Sequence, residues 1–145
     1  IRPELHRVTY EVTEHTEYLS YPVPLVFEKM DLPNSDRAQR KRDNKSFISD
    51  SSAIINVDLD KIGYPLTIRK WEKGDVFYPF GMAGQKKLSK FFKDEKFSMV
   101  EKEKTWLLCF EGQIIWVIGH RMDNRFKVTE DTKTVLNIAI DNRIR

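Results

Sequence analysis

Between Lys86 and Lys104 the chain carries seven lysines against four acidic residues. That local excess equals the formal net charge of +3 for all 145 residues, so the rest of the chain is electrically balanced. The cluster opens inside "GMAGQKKLSKFF", residues 81 to 92, where two glycines precede three lysines and two phenylalanines. Glycine takes backbone angles that other residues avoid and leaves room for a ligand against the main chain. The periodicity predicts a helix over Lys86–Glu95. At about 100° per residue it places Leu88, Phe91 and Phe92 on one side. Lys86, Lys90 and Lys93 gather opposite, with Lys87 at the edge of the basic face. Unpaired amides at the start of such a helix favour an anion. Lysines in the first turn are mildly unfavourable there unless an anion offsets them, and phosphate is the natural candidate. Spacing alone leaves two readings open, a phosphate-gripping face for nucleic acid and an ordinary solvated helix face.

Other reactive residue types do not assemble into a catalytic set. Cys109 is the single cysteine and sits in "WLLCFE", so it reads as a buried core thiol and a reducing, intracellular setting follows. His6 and His15 are too isolated for a metal site, and no cluster has zinc-ligand spacing. No Ser/His/Asp, Cys/His or paired-carboxylate arrangement can be placed. His120 is read as a structural hydrogen bonder at a strand end or as an RNA contact. Arg121 and Arg125 are read as secondary phosphate contacts or as partners of Asp123. Trp71, Phe77, Tyr78 and Phe80 could stack on bases or fill the core. A second basic run, Arg37, Arg40, Lys41, Arg42 and Lys45, lies in a wholly polar stretch that reads as a long exposed connection, partly disordered.

The elements that must position these residues are mainly strands. "RVTYEVT" (7–13), "AIINVDLDKI", "YPLTIRKW" and "KTVLNIAI" alternate or are rich in β-branched residues. "YLSYPVPLVFEKMDLP" holds three prolines and predicts an edge strand or irregular structure. "WLLCF-EG-QIIWVIG" predicts a hairpin closed by a two-residue loop. "SMVEKEK" predicts a short helix capped by Ser98, with Glu101 completing a capping box. The fold expected is α+β and mostly antiparallel: a small, partly open β-barrel-like domain with two short helices inserted late in the chain. No apolar run approaches a membrane span. The start, "IRPELHRV", reads as the middle of a longer protein.

Three ordered stretches, "GDVFYPFGMAGQKKLSKFF", "WLLCFEGQIIWVIGHRMDNRFKV" and "TKTVL", resemble the C-terminal domain of tRNA(Ile)-lysidine synthetase. The resemblance runs from Arg69 to Leu136. It divides the chain into preceding strands and a linker (1–60), packed on the same domain, and a C-terminal tRNA-binding domain (61–145). It implies the small β fold shared with the β subunit of phenylalanyl-tRNA synthetase. It also implies a parent enzyme that uses ATP, Mg²⁺ and lysine to convert the anticodon wobble cytidine to lysidine. The pyrophosphatase loop S-G-G-x-D-S of that family's catalytic domain is absent from this sequence. The implied chain therefore has no catalytic residue, metal or cofactor of its own and partners a catalytic N-terminal domain, in the cytoplasm. Its implied task is to hold the acceptor stem of tRNA(Ile). Onto matching positions the motif carries Gly81, Met82, Gly84, Lys86, Lys87 and Leu88, then Asp94 and Lys96. With the basic face this gives a tRNA-binding set of Gly84, Lys86, Lys87, Lys90, Lys93, Lys96, Lys102 and Arg121. The family often has a basic residue where Ala83 stands and arginine near Lys102. The alternative is a protein-contact module, docking other domains or a second copy through "VFYPF" and "FSMV".

Overall fold

In the computed structural model, the described residues are 8–48 and 52–142. Two antiparallel sheets enclose the main core. The first orders β1 (Thr9–Val12), β5 (Leu66–Lys70), β8 (Trp106–Phe110), β9 (Gln113–Val117) and β10 (Arg121–Met122). The second orders β2 (Tyr18–Leu19), β3 (Leu25–Asp31), β11 (Thr134–Ile140) and β4 (Ile54–Asp58). A two-stranded ribbon joins β6 (Val76–Phe77) to β7 (Lys86–Lys87). The α+β, mostly antiparallel expectation holds.

The proline-rich stretch departs from expectation. β3 begins directly after Pro24 and pairs over its whole length with β11, from Leu25↔Ile140 to Asp31↔Thr134. The prolines lie outside the ladder, so no hydrogen bond is missing. Leu25 and Phe27 alternate inward beside Ile55, Val57 and Ile138.

The hairpin forms as expected. Glu111 and Gly112 have φ of 47° and 80°, the pair of positive values that a tight two-residue hairpin loop requires. Its apolar runs are continuous because the first sheet is covered on both faces. Leu108, Ile115 and Trp116 face the second sheet, whereas Leu107, Cys109, Ile114 and Val117 join a separate cluster on the opposite side. A bulge between Leu108 and Cys109 makes this possible, since Leu108 pairs with Trp116 and Cys109 with Ile114, leaving Ile115 as an extra residue. One extra residue resets the two-residue alternation.

The described residues form three α-helices rather than two. The polar run folds as α1 (Arg37–Asn44), capped by Asp36, whose side chain accepts from the Gln39 amide at 2.8 Å. Polar contacts dock it: Arg37 pairs with Glu130, and buried Asn44 donates to the carbonyls of Thr129 and Thr132 at 2.8 and 3.2 Å. With no apolar stripe, nothing in the periodicity announced it.

Candidate nucleic-acid interface

The second cluster carries the basic segment. α2 (Leu88–Asp94) buries Leu88, Phe91 and Phe92 against β8 and β9, as their spacing demands. Phe91 meets Phe77 edge-on at 5.1 Å and Phe92 meets Trp71 at 5.3 Å, so Phe77 and Trp71 serve packing. The helix ends in a left-handed turn at Lys96, φ 58°. There Lys96 N–H bonds Lys93 O, Phe97 N–H bonds Phe92 O, and the Phe92 and Phe97 rings pack at 4.7 Å. Both main-chain bonds and the apolar contact are those of a Schellman stop, with lysine where glycine is usual. Then comes α3 (Met99–Lys104), with the expected capping box between Ser98 and Glu101 in place. Those bonds hold the Glu101 carboxyl below its usual range.

The start of α2 corrects the sequence expectation. Lys86 and Lys87 are not in a helical first turn; they form β7, with Lys86 opposite Phe77 and Lys87 opposite Val76. The first helical amide, Leu88 N–H, donates to Asp75 O at 2.8 Å. Asp75 is itself gripped by Arg69 through two bonds of 3.0 and 2.9 Å. The first amide of the helix is thus tied to its own protein, and the two lysines expected in its first turn precede it instead.

Lys86 also departs from the outward basic face that the spacing predicts. Its ammonium lies 2.7 Å from Asp94, and its side chain is only 16 % exposed. Lys90 approaches the same carboxylate at 3.5 Å while 66 % exposed. The Lys86 hydrogen bond, helped by both charges, holds the Asp94 carboxyl below its usual range. Lys87, Lys93 and Lys96 are exposed and have no ion pair among the described residues. Lys102 is half-buried on α3. Arg121 lies beside Glu95 at 3.9 Å and over the Phe91 ring at 5.7 Å.

Gly81 and Gly84 have φ of 81° and 79°, and a Cβ at either would meet open space. They are required by the turn rather than by close packing. The loop borders a depression of about 600 Å³ lined by Pro79, Gly84, Gln85, Lys86, Lys87 and Lys90 among others.

The remaining residues resolve as follows. Cys109 is buried, and burial pushes its thiol up to about 11, the signature of an inert core cysteine. The His120 ring packs on Phe97 at 4.4 Å and its main-chain amide bonds Val117 O; burial lowers its pKa against the opposing carboxylates of Glu101 and Glu95. Arg125 pairs with Asp123 at 3.0 Å and keeps 34 % of its side chain exposed. His6 lies outside the described residues, and among those described no group of His, Cys, Asp or Glu could hold a metal. Among them no helix is long and apolar enough to cross a membrane.

Two sheets over one core, with a lysine-fringed loop and helix on the outer face, define a small β domain also seen in solved proteins. A TilS C-terminal domain crystal structure matches with a TM-score of 0.66 at 19 % identity, covering 91 % of this chain and 95 % of that one. An N-terminal fragment of the phenylalanyl-tRNA synthetase β subunit from Pyrococcus horikoshii matches at 0.55 and 20 % identity, covering 79 % and 38 %. Residues 66–139 match the family described as the TilS substrate C-terminal domain, and the chain belongs to that family. The tRNA(Ile)-lysidine synthase of Parabacteroides distasonis is 55 % identical over 89 residues, which are 61 % of this chain and 20 % of that protein. That of Bacteroides thetaiotaomicron is 39 % identical over 115 residues, 79 % of this chain and 25 % of that protein. The chain therefore spans about a fifth to a quarter of the curated relatives it matches.

Proposed function

We propose that this chain is the non-catalytic C-terminal region of a tRNA(Ile)-lysidine synthetase and that it grips the body of tRNA(Ile) at the acceptor stem. A separate N-terminal domain would use ATP, Mg²⁺ and lysine in the cytoplasm to convert the wobble cytidine to lysidine. The observation that carries the reading is the outward placement of Lys87, Lys93 and Lys96 around a helix whose apolar face is wholly consumed by the core. Such a surface supplies charge without sequence reading. That suits an A-form stem, whose base edges are hidden in a deep, narrow groove while its phosphates are open. Lys86 supplies scaffold instead, and Lys90 is shared between Asp94 and solvent. Hydroxyl-radical footprinting of full-length tRNA(Ile) tests the reading. Protection of acceptor-stem riboses is expected; protection confined to the anticodon arm, or none at saturating protein, refutes it.

One observation favours a second reading, a docking or dimer module. Met99 and Val100 on α3 are 73 % and 57 % exposed. Within "VFYPF", Phe77 and Pro79 are buried, while Val76, Tyr78 and Phe80 are half-buried. Light scattering decides: a tight dimer indifferent to tRNA would favour this reading.

A further inference from the structure

The loop that feeds the glycine turn is pinned by one buried carboxylate. Asp123 is fully buried, and its two oxygens accept from the Tyr78 amide at 2.9 Å and the Arg125 amide at 2.7 Å. They also accept from Arg125 Nε at 3.1 Å and Nη2 at 3.0 Å. The guanidinium is thereby laid over the Tyr78 ring, 4.2 Å from its centroid. Two of its donor atoms and one face are fixed. Nη1 has no acceptor among the described residues, and the side chain keeps 34 % of its surface exposed. Pro79 both lines the lysine-bordered depression and bridges to Asp123, so the two features share one loop.

A cation needed only to neutralise Asp123 would not require this geometry. A guanidinium clamped at two donors and stacked on a ring has lost its rotamer freedom before any ligand arrives, and its remaining N–H points are preset. We infer that Arg125, clamped by Asp123 and Tyr78, is a rigid RNA-phosphate anchor that fixes the register of the nucleic acid, where the flexible lysines supply only charge. The inference rests on the tRNA-gripping reading and adds a residue outside the basic cluster.

The test uses the 145-residue chain, a fluorescent RNA hairpin with an A-form stem, and anisotropy across a salt series. Arg125→Lys keeps a cation beside Asp123 but cannot reproduce the fork. Affinity is expected to fall on the order of tenfold while the salt slope stays at the wild-type value. Lys93→Ala should instead shorten the slope. A charge-only or purely structural Arg125 would leave the affinity of the folded Arg125→Lys chain unchanged, and that result overturns the inference while the wider reading stands. Absence of salt-dependent binding by the wild-type chain overturns both. If Arg125→Lys fails to fold, the wild-type Arg125 Nε–H resonance is read during titration with the hairpin. A shift that saturates with binding supports the anchor, and an unmoved resonance overturns it. A resonance that moves only with an added protein domain, and not with RNA, also overturns it.

Discussion

Removing Lys86 should have an outcome separable from removing Lys87 or Lys93, although sequence spacing places all of them on one basic face. Each ammonium that neutralises a phosphate contributes about 0.9 to the slope of log affinity against log salt. Between 50 and 200 mM salt, one such contact is a factor of about 3.5 in affinity. Lys87 and Lys93 are exposed and unpaired among the described residues, so Lys87→Ala and Lys93→Ala should each lose about one such increment. Lys86 is already engaged at 2.7 Å with Asp94 and is only 16 % exposed. Lys86→Ala should therefore leave the slope unchanged and instead lower the thermal midpoint, because Asp94 loses its nearer partner. Filter binding of tRNA over the salt series, with a melting curve for each variant, reads both quantities. Unchanged slopes for Lys87→Ala and Lys93→Ala would remove the outer face from the interface. A slope lost equally in Lys86→Ala would mean that the ion pair opens on RNA, and that the resting geometry does not select the contacts.

Other substitutions probe the scaffold. Lys96 holds φ 58° at the end of α2, so Lys96→Gly should stabilise the fold by about 1 kcal/mol while shortening the salt slope, a combination that melting and binding curves together detect. Glu111 holds φ 47° in the hairpin, and Glu111→Asn should raise stability by about 0.5 kcal/mol in urea unfolding with no effect on RNA binding. His120 has a folded-state pKa below its ordinary 6.5, because burial disfavours the imidazolium. The unfolded chain then binds more protons between the two values, so stability should fall as pH drops from about 6.5 toward the folded value. Thermal melts of His120→Gln should show a flatter dependence over that window.

Features encoded by neighbours in the chain were legible from the residues alone. The Ser98–Glu101 capping box, the Glu111-Gly112 turn and the Leu88, Phe91, Phe92 stripe depend on residues one to four positions apart, and all formed as read. The lysine cluster was likewise visible as composition. Which lysines remain available was not visible, because it depends on what each ammonium meets after folding. Pairing of Lys86 with Phe77 removed it from the helix and swung it onto Asp94. α1 escaped detection because its docking uses Glu130 and the carbonyls of Thr129 and Thr132, far away in sequence and without periodicity. The bulge that gives β9 four consecutive buried residues is likewise a property of the paired sheet. Periodicity and turn chemistry thus determined the local elements and the sign of the surface. Contacts between distant segments decided which charges are scaffold and which face outward, because ion pairing and burial depend on neighbours that only the closed fold supplies.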